Sequence, residues 1–428
     1  MRIAVFHPGA QHSYQTALAF QGAGRLAWFA TEIFYCSDRK PYTFLRYLTT
    51  DLRRRLERDV KRRYHAEIDT SLVRTLGYWE WIERISMRLG LRRFEHYANE
   101  WGNQSFAQAV AAMAVHDRVD CVWGFDTSSL PTFRAVKPQG INCVLEQTVA
   151  YPRLWNQLLT EERERLGSDF DQYPRPYPEK DLIRVDAEIA LADQIVCGSG
   201  FVRQTLLDGG VDSTKLNVIP YGVDTEVFTP ADSPTEHEGL HLLFVGHFGL
   251  RKGAWYLIEA MRRLRDRRGL RLTVVGKQTV ASQYLAPLGD QLRLIDHVPY
   301  HEMPDLYRQA DALVLPSLFE GSSLAIYEAL ACGVPVITTP NAGSIIQDGA
   351  EGYIVPIRDV DGITSKIDKL YTDREARANM AVRARHRALE FGWRKYADGL
   401  LRLSERVIGP SHASDAGEAS PQHLSLAK

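Results

Sequence analysis

The sequence contains few cysteines and no long apolar run. Its five cysteines (Cys36, Cys121, Cys143, Cys197 and Cys332) are far apart and form no CxxC pair. This spacing argues against a disulfide framework or a zinc site and favours a reducing compartment. No apolar run reaches the roughly 18 residues that a membrane-spanning helix needs, and MRIAVFHPG opens as a strand rather than a signal peptide. We therefore expect a soluble, cytoplasmic protein without a metal site.

The sequence also has almost no net charge and lacks several ligand-binding motifs. The formal net charge is −1, so no overall field attracts nucleic acid. There is no GxGxxG after a strand, no Walker loop and no HExxH, which leaves no cofactor-binding signature. The DFD triplet at residues 169–171 lies in a proline-rich loop without a leading strand. We do not expect it to bind a metal.

Short apolar runs alternate with helical patterns along most of the chain. The runs include RIAVF, LAWFAT, CVWGF, INCVLEQ, QIVCGS and LNVIPY in the first half, and HLLFVG, LRLTVVG, LRLIDHV, ALVLPS and VPVITT in the second. Alternation of this kind predicts parallel sheets with helices on both faces. With 428 residues and 45% hydrophobic residues, the chain has material for two Rossmann-like α/β domains.

Composition places the domain boundaries. We predict an N-terminal domain over 1–228, a polar linker at 229–240, a C-terminal domain over 241–392, a helix at 393–408 and a disordered tail at 409–428. A helical insertion without strands is predicted at about 41–115. Between Arg39 and Arg63, at the start of this region, the chain has ten Lys or Arg against three Asp or Glu. This pattern fits either a surface for an anionic membrane or lipid-diphosphate acceptor, or a solvated helix face.

The strand ALVLPS is followed by a turn of small residues and an apolar helix. Gly321, Ser322 and Ser323 form the turn, and a helix starting there offers free N–H groups to a phosphate. Glu320 precedes the turn and Glu328 lies about two helical turns beyond it. Carboxylates beside a phosphate make sense if the ligand carries hydroxyls at both ends. A sugar, a diphosphate and a ribose in one molecule make a nucleotide sugar.

A second strand-end loop carries the opposite charge. Arg251 and Lys252 follow the strand HLLFVG and precede a helix, so they lie at the same carboxyl edge of the predicted sheet. An Arg fork and a Lys point charge can neutralise a diphosphate without a metal. Nearer the N-terminus, RIAVF followed by HPGAQHS is again a strand and loop, where Gly9 allows close approach. His12 there is a candidate acceptor-side base or phosphate contact.

The E-x7-E pattern after PS, with the RKG loop upstream, resembles the retaining glycosyltransferases of family 4. VIPYGVDTEVF, VPVITTPNAGSIIQDGAEGYIVP and GWRKYADGLLRLSERV are similar to further stretches of that family. The likeness extends over residues 194–407 and is only in outline before them. It implies the GT-B fold, in which two Rossmann-like domains with parallel sheets face a central cleft.

The resemblance also implies residue roles. Arg251 and Lys252 would hold the donor diphosphate as it leaves, with Glu320 on the donor sugar and Glu328 on the ribose. The other donor-binding positions are Gly9, Gly246, His247, Gly321, Ser322, and the backbone of Ser323 and Leu324. The donor would be a UDP- or GDP-sugar and the acceptor a saccharide or lipid-linked hydroxyl, with peripheral contact to the inner face of a membrane. Transfer would retain the anomeric configuration, in bacterial polysaccharide or glycolipid synthesis.

Three positions depart from the family. His247 stands where the family often has Arg. LEQTVAYP has Glu146, Gln147 and Thr148 at the place where many members carry a His, and HPGAQHS has one glycine instead of two. Two other functions therefore stay open. One is a non-catalytic nucleotide-binding protein that regulates a polysaccharide complex, and the other is a GT-B epimerase. Turnover of a donor sugar separates the first of these from a transferase.

Overall fold

The computed structural model describes residues 1–9, 12–36, 42–47, 63–76, 92–167, 169–170, 175–232 and 237–409. Within this part of the chain two parallel sheets are each covered by helices. Most of the basic segment between Arg39 and Arg63, and the predicted tail beyond Gly409, lie outside the described residues. None of the helices in the described part is long and apolar enough to cross a membrane.

The first sheet has seven parallel strands in the order β3-β2-β1-β4-β5-β6-β7. The strands are β1 (Ile3–Phe6), β2 (Leu26–Thr31), β3 (Val73–Thr75), β4 (Cys121–Phe125), β5 (Asn142–Gln147), β6 (Gln194–Cys197) and β7 (Leu216–Val218). Every residue of β1 and β4 is buried, because helices cover both faces of the sheet. The sequence runs that predict six of these strands are confirmed.

The prediction of no strand between residues 41 and 115 is wrong at β3, which pairs with β2 at the edge of the sheet. Only three residues form this strand, and only its first is buried. Three residues are too few to show the alternation of apolar and polar side chains that distinguishes a strand from the helical pattern around it. Its pairing partner lies more than forty positions earlier in the chain, so local sequence carries no sign of it.

The second sheet has six parallel strands in the order β10-β9-β8-β11-β12-β13. They are β8 (Leu240–Val245), β9 (Leu270–Val275), β10 (Leu292–Ile295), β11 (Ala312–Leu315), β12 (Val336–Thr338) and β13 (Gly352–Ile354). The strand order reverses between β8 and β11, and such a switch point opens a crevice at the carboxyl ends of the strands. Leu240, the last residue of the predicted linker, already belongs to β8.

The helices fill the layers on either side of the two sheets. In the first domain they are α1 (Ser13–Gly22), α2 (Arg92–His116), α3 (Leu130–Val136), α4 (Pro152–Leu166), α5 (Glu179–Leu191) and α6 (Gly200–Asp208). In the second they are α7 (Ala254–Arg263), α8 (Ser282–Leu285), α9 (Met303–Arg308), α10 (Leu324–Ala331), α11 (Val360–Thr372), α12 (Arg374–Leu389) and α13 (Trp393–Ile408).

The last helix, α13, returns to the first domain and lies beside α1. Its buried residues Tyr396, Leu400 and Leu403 recur at helical spacing and form the side that packs. The Tyr396 hydroxyl lies 2.9 Å from Thr16 Oγ1 of α1, and Arg25 Nη2 donates to Glu405 Oε1 at 2.6 Å. The chain therefore crosses between the domains twice.

Helix α4 contributes to the contact between the two domains. Its Glu162 is fully buried and accepts from two groups of the second domain, the Tyr256 hydroxyl at 2.6 Å and Arg358 Nε at 2.5 Å. Phe170, the centre of the DFD triplet, is buried with its ring 5.1 Å from that of Trp255 and 5.2 Å from that of Tyr284. This phenylalanine thus anchors one domain to the other.

Candidate active site

Gly246 directly follows strand β8 and leaves space for the side chain of Lys252. Its φ is 119°, a left-handed conformation that favours glycine. A Cβ at this position would lie 2.9 Å from Lys252 Cε, so the lysine stem lies directly over the strand end. The next residue, His247, has its Nε2 2.9 Å from Thr279 Oγ1 in the loop after β9. Two neighbouring strand-end loops are joined by this contact.

The loop after β8 is also fastened to the loop after β11. Gly253, at φ 75°, has no room for a side chain because a Cβ would lie 1.9 Å from the Pro316 carbonyl oxygen. The backbone N–H groups of Leu318 and Phe319 both donate to the Arg251 carbonyl, at 2.9 and 3.3 Å. These contacts bring the basic pair and the acidic loop, predicted at one edge, into direct contact.

Glu320, Lys252 and Arg251 form one charged cluster. Glu320 Oε1 lies 2.9 Å from Lys252 Nζ and 3.4 Å from Arg251 Nη2. Burial alone would raise the pKa of Glu320, but the charges of Lys252 and Arg251 outweigh it and hold that pKa below its usual value. The carboxylate is therefore ionised at neutral pH. The cluster has two positive charges against one, a surplus suited to an anionic ligand.

The small-residue turn after Glu320 contacts the first domain. A Cβ on Gly321 would lie 1.8 Å from the Thr148 carbonyl oxygen, and Ser199 Oγ donates to the Gly321 carbonyl at 2.5 Å. The Ala150 N–H donates to the Glu320 carbonyl at 3.2 Å. Ser199 also caps α6, accepting from the Val202 N–H, as its position after a strand predicts. Only glycine allows the two domains to meet here.

Ser322 and Ser323 have protein partners in this conformation. Ser322 Oγ lies 2.9 Å from the Tyr327 hydroxyl and donates to the Gly343 carbonyl at 3.2 Å. The Ser323 N–H donates to the Ala342 carbonyl at 3.2 Å. A neighbouring loop therefore occupies the Ser323 N–H in this conformation, and the contact of the Ser323 backbone with the donor stays a prediction. Leu324 is the first residue of α10 and is 36% exposed.

Glu328 lies in the second turn of α10. Its Oε2 accepts from the Tyr307 hydroxyl at 2.7 Å. Burial raises the pKa of Glu328 to about 7, although the Tyr307 hydroxyl opposes that rise. The carboxyl group is therefore poised between its two protonation states near neutral pH. Sequence reasoning identified the glutamate but missed its partner, because Tyr307 lies on a different helix.

On the first domain, His12 is packed rather than open. Its Nε2 lies 2.8 Å from Glu146 Oε2, its side chain is 8% exposed, and its ring centroid is 4.3 Å from that of Tyr221. Gly9 lies next to His7, whose Cε1 would be 3.1 Å from a Cβ on the glycine. Burial lowers the pKa of His7 to about 4, although a backbone hydrogen bond with Gly9 opposes the shift.

The carboxylate that holds His12 belongs to the interior of the domain. Glu146 is 1% exposed. Its oxygens lie 2.7 or 2.8 Å from His12 Nε2, Thr16 Oγ1, Trp123 Nε1 and the Tyr396 hydroxyl. These contacts occupy both oxygens of the carboxylate. Glu146, one of the three residues at the place where many family members carry a His, therefore has both oxygens bound by side chains of the protein.

Asp126, Gln147 and Thr148 instead occupy the carboxyl edge of the first sheet. Asp126 follows β4, is 3% exposed, and accepts from Thr148 Oγ1 at 2.7 Å and Gln147 Nε2 at 3.3 Å. Burial raises the pKa of Asp126 to about 6, with hydrogen bonds from Thr148 opposing. Sequence analysis missed Asp126. The rule applied to Arg251 and Glu320, polar residues just beyond a strand, would have found it.

No group of three or more His, Cys, Asp or Glu side chains in the described residues could hold a metal ion. Of the two acidic triplets, DFD contributes its phenylalanine to the domain contact. In DVD, Asp359 Oδ1 accepts from the Gly362 N–H at 2.8 Å. That bond caps the N-terminus of α11.

Two parallel-sheet domains that meet across a cleft, with charged loops at the carboxyl edge of the second, define a GT-B protein. Residues 228–387 match the family model described as glycosyl transferases group 1. The solved structure of sucrose-phosphate synthase from Thermosynechococcus elongatus superposes with a TM-score of 0.65 at 17% identity, covering 95% of this chain and 98% of that one. The structure of Anabaena HepE in complex with UDP gives 0.63 at 12% identity, covering 95% and 100%.

Curated sequences give a further comparison. The chain is 31% identical over 262 residues to a D-inositol 3-phosphate glycosyltransferase of Frankia alni, which covers 55% of this chain and 64% of the relative. A second such relative, from Stackebrandtia nassauensis, is 31% identical over 55% of this chain and 60% of its own length. The chain thus spans less than two thirds of the length of these curated relatives.

Proposed function

We propose that the protein transfers a sugar from a nucleoside diphosphate sugar to an acceptor hydroxyl, with retention of the anomeric configuration and without a metal. The observation that carries the proposal is the cluster of Lys252, Arg251 and Glu320 at the switch point of the second sheet. A surplus of positive charge there suits a diphosphate. The match of residues 228–387 to group 1 glycosyl transferases supports the same reading.

The reaction breaks the bond between the anomeric carbon and the diphosphate oxygen. Negative charge then builds up on the leaving diphosphate, and Lys252 and Arg251 stabilise it. The acceptor hydroxyl forms the new bond on the same face of the sugar, and its proton passes to the leaving phosphate oxygen. The Lys252 ammonium, which pairs with Glu320 in this structure, must also contact the diphosphate. Glu320 would then accept hydrogen bonds from hydroxyls of the donor sugar.

Residue chemistry and the related proteins together suggest what binds the nucleotide of the donor and what the acceptor is. Glu328 would accept hydrogen bonds from the ribose, and HepE, which shares the fold, is known in complex with UDP. We therefore favour UDP as the nucleotide, with GDP as the second choice. The acceptor side would lie beside Asp126 and Thr148. The names of the curated relatives suggest an inositol phosphate, and a saccharide or lipid-linked acceptor at a membrane surface remains the broader class.

The test is turnover of UDP-, GDP-, ADP- and CDP-sugars, with D-inositol 3-phosphate and neutral saccharides as acceptors. We expect one nucleotide to be released with one donor, equally in EDTA and in magnesium, and a product whose anomeric proton coupling matches the donor. Loss of turnover in EDTA with recovery in magnesium would contradict the metal-free claim. An inverted product would contradict retention. Nucleotide binding without turnover would favour the regulatory alternative.

A further inference from the structure

Tyr307 contacts α10, the helix that carries Glu328. It belongs to the short helix α9 and is completely buried. Its hydroxyl donates to Glu328 Oε2 at 2.7 Å, and its ring packs edge-on against Phe228, 5.9 Å between centroids. Ring packing would be satisfied equally by phenylalanine. The hydroxyl therefore makes a single specific contact, and that contact is with a carboxylate assigned to the ligand.

The surroundings of Glu328 make this hydroxyl important. Burial raises the pKa of Glu328 to about 7, while the Tyr307 hydrogen bond acts against the rise. Among the described residues, the charge of Glu328 also acts on Tyr300 and Cys332, and the charges of Arg308 and Arg385 act on Cys332. Burial raises the pKa of Tyr300 well above its ordinary value and the pKa of Cys332 to about 12. Neither group changes charge near neutral pH.

We propose that Tyr307 is a positioning residue that sets recognition of the ribose hydroxyls, by holding one oxygen of Glu328 and leaving the other for the ligand. This inference rests on the proposed function, in which Glu328 contacts the ribose. An ionised carboxylate offers acceptor sites on both oxygens and no donor. With Oε2 committed to Tyr307, the plane of the group is fixed and Oε1 is the oxygen that accepts from a ribose hydroxyl.

Removal of the hydroxyl has two consequences for the carboxylate. It frees Oε2, so the group loses its fixed orientation. It also removes a hydrogen bond that favours the ionised form, so the pKa of Glu328 rises further above its ordinary value. At neutral pH more of the group would be protonated, and a protonated carboxyl is a poorer acceptor. Both effects weaken binding of a ribose and leave the rest of the nucleotide unaffected.

The experiment measures dissociation constants for a nucleoside diphosphate and for its 2′-deoxy and 2′,3′-dideoxy forms in wild type and Tyr307→Phe. We expect wild type to bind the ribonucleotide about tenfold tighter than the dideoxy form, as for a hydrogen bond to a charged group. Tyr307→Phe should lose most of that preference and bind the dideoxy form within about twofold of wild type. Ribonucleotide affinity should rise with pH through about 7 in wild type and at higher pH in Tyr307→Phe.

Tyr256→Phe is the matched control. It removes another tyrosine hydroxyl that donates to a buried carboxylate, Glu162, at 2.6 Å. Because this pair lies between the domains, away from Glu328, the ribose preference should keep its wild-type value. Glu328→Gln completes a cycle, since a further Tyr307→Phe change should add nothing to the preference once the carboxylate is gone.

The outcomes separate this inference from the proposed function. An equal loss of affinity for all three nucleotides in Tyr307→Phe would show a structural role and overturn the inference. A preserved ribose preference in that variant would do the same. Failure of wild type to bind any nucleoside diphosphate would overturn the proposed function, and the inference with it.

Discussion

Lys252→Ala is expected to lower sugar transfer by about 100- to 1000-fold, the usual cost of losing one preorganised electrostatic contact to a developing charge. The lysine is 9% exposed and its ammonium is the closest cation to Glu320, at 2.9 Å. Without it, Arg251 alone would face both the carboxylate and the leaving diphosphate. The loss should appear in donor affinity as well as in the catalytic rate, measured as nucleotide release over a range of donor concentrations with saturating acceptor.

Two further variants isolate the charge. Lys252→Met keeps the aliphatic stem that lies over Gly246 and should lose as much activity as Lys252→Ala. Arg263→Ala removes an exposed cation that pairs with the exposed Asp361, and its activity should equal that of wild type. Circular dichroism should show the native fold in all three. Turnover of Lys252→Ala within about threefold of wild type would mean that the phosphate is bound elsewhere.

Arg358→Ala is expected to cost about 3–5 kcal/mol in the free energy of unfolding, as for removal of one partner of a buried ion pair. Arg358 Nε donates to Glu162 at 2.5 Å, and its Nη2 lies 2.8 Å from Glu161 Oε2. Glu162 is 0% exposed. After the change the Tyr256 hydroxyl would be the one donor left to it among the described residues, inside the contact between the domains.

Urea unfolding followed by tryptophan fluorescence measures this cost. The exposed pair of Arg263 and Asp361 supplies the control, since both side chains are open to solvent and Arg263→Ala should change stability by no more than about 0.5 kcal/mol. Arg358→Ala combined with Glu162→Gln should recover part of the loss, because the uncompensated charge is then removed. A loss below about 1 kcal/mol for Arg358→Ala alone would mean that water or another donor reaches Glu162.

The parts predicted from sequence are those whose cause is local. β11 and α10 follow from a short apolar run, a turn of small residues and an apolar helix. The same reasoning placed Arg251, Lys252 and Glu320 at one sheet edge, because the carboxyl ends of parallel strands share that edge. The spacing of apolar residues depends only on residues that are close in the chain. It therefore predicts strands and helices without knowledge of how they pack.

The parts that were missed depend on distant partners. Glu146 and Gln147 are adjacent at the end of β5, and adjacent strand residues point to opposite faces. Sequence alone does not say which one turns inward, and the structure places Glu146 against His12 and Tyr396. From sequence, Glu162 is expected to be an exposed residue of a helix. In the structure the second domain buries it. Phe170 in DFD likewise gains its role from Trp255 and Tyr284, which are distant in the chain.

The most direct test of the central claim is thermal unfolding with UDP, GDP, ADP and CDP, in EDTA, for wild type and Lys252→Ala. A ligand at about 100 times its dissociation constant adds roughly 2.7 kcal/mol, which appears as a shift of a few degrees. We expect such a shift with one of these nucleotides in wild type, and its loss in Lys252→Ala. An equal shift in both proteins would contradict the assignment of the diphosphate to Lys252 and Arg251.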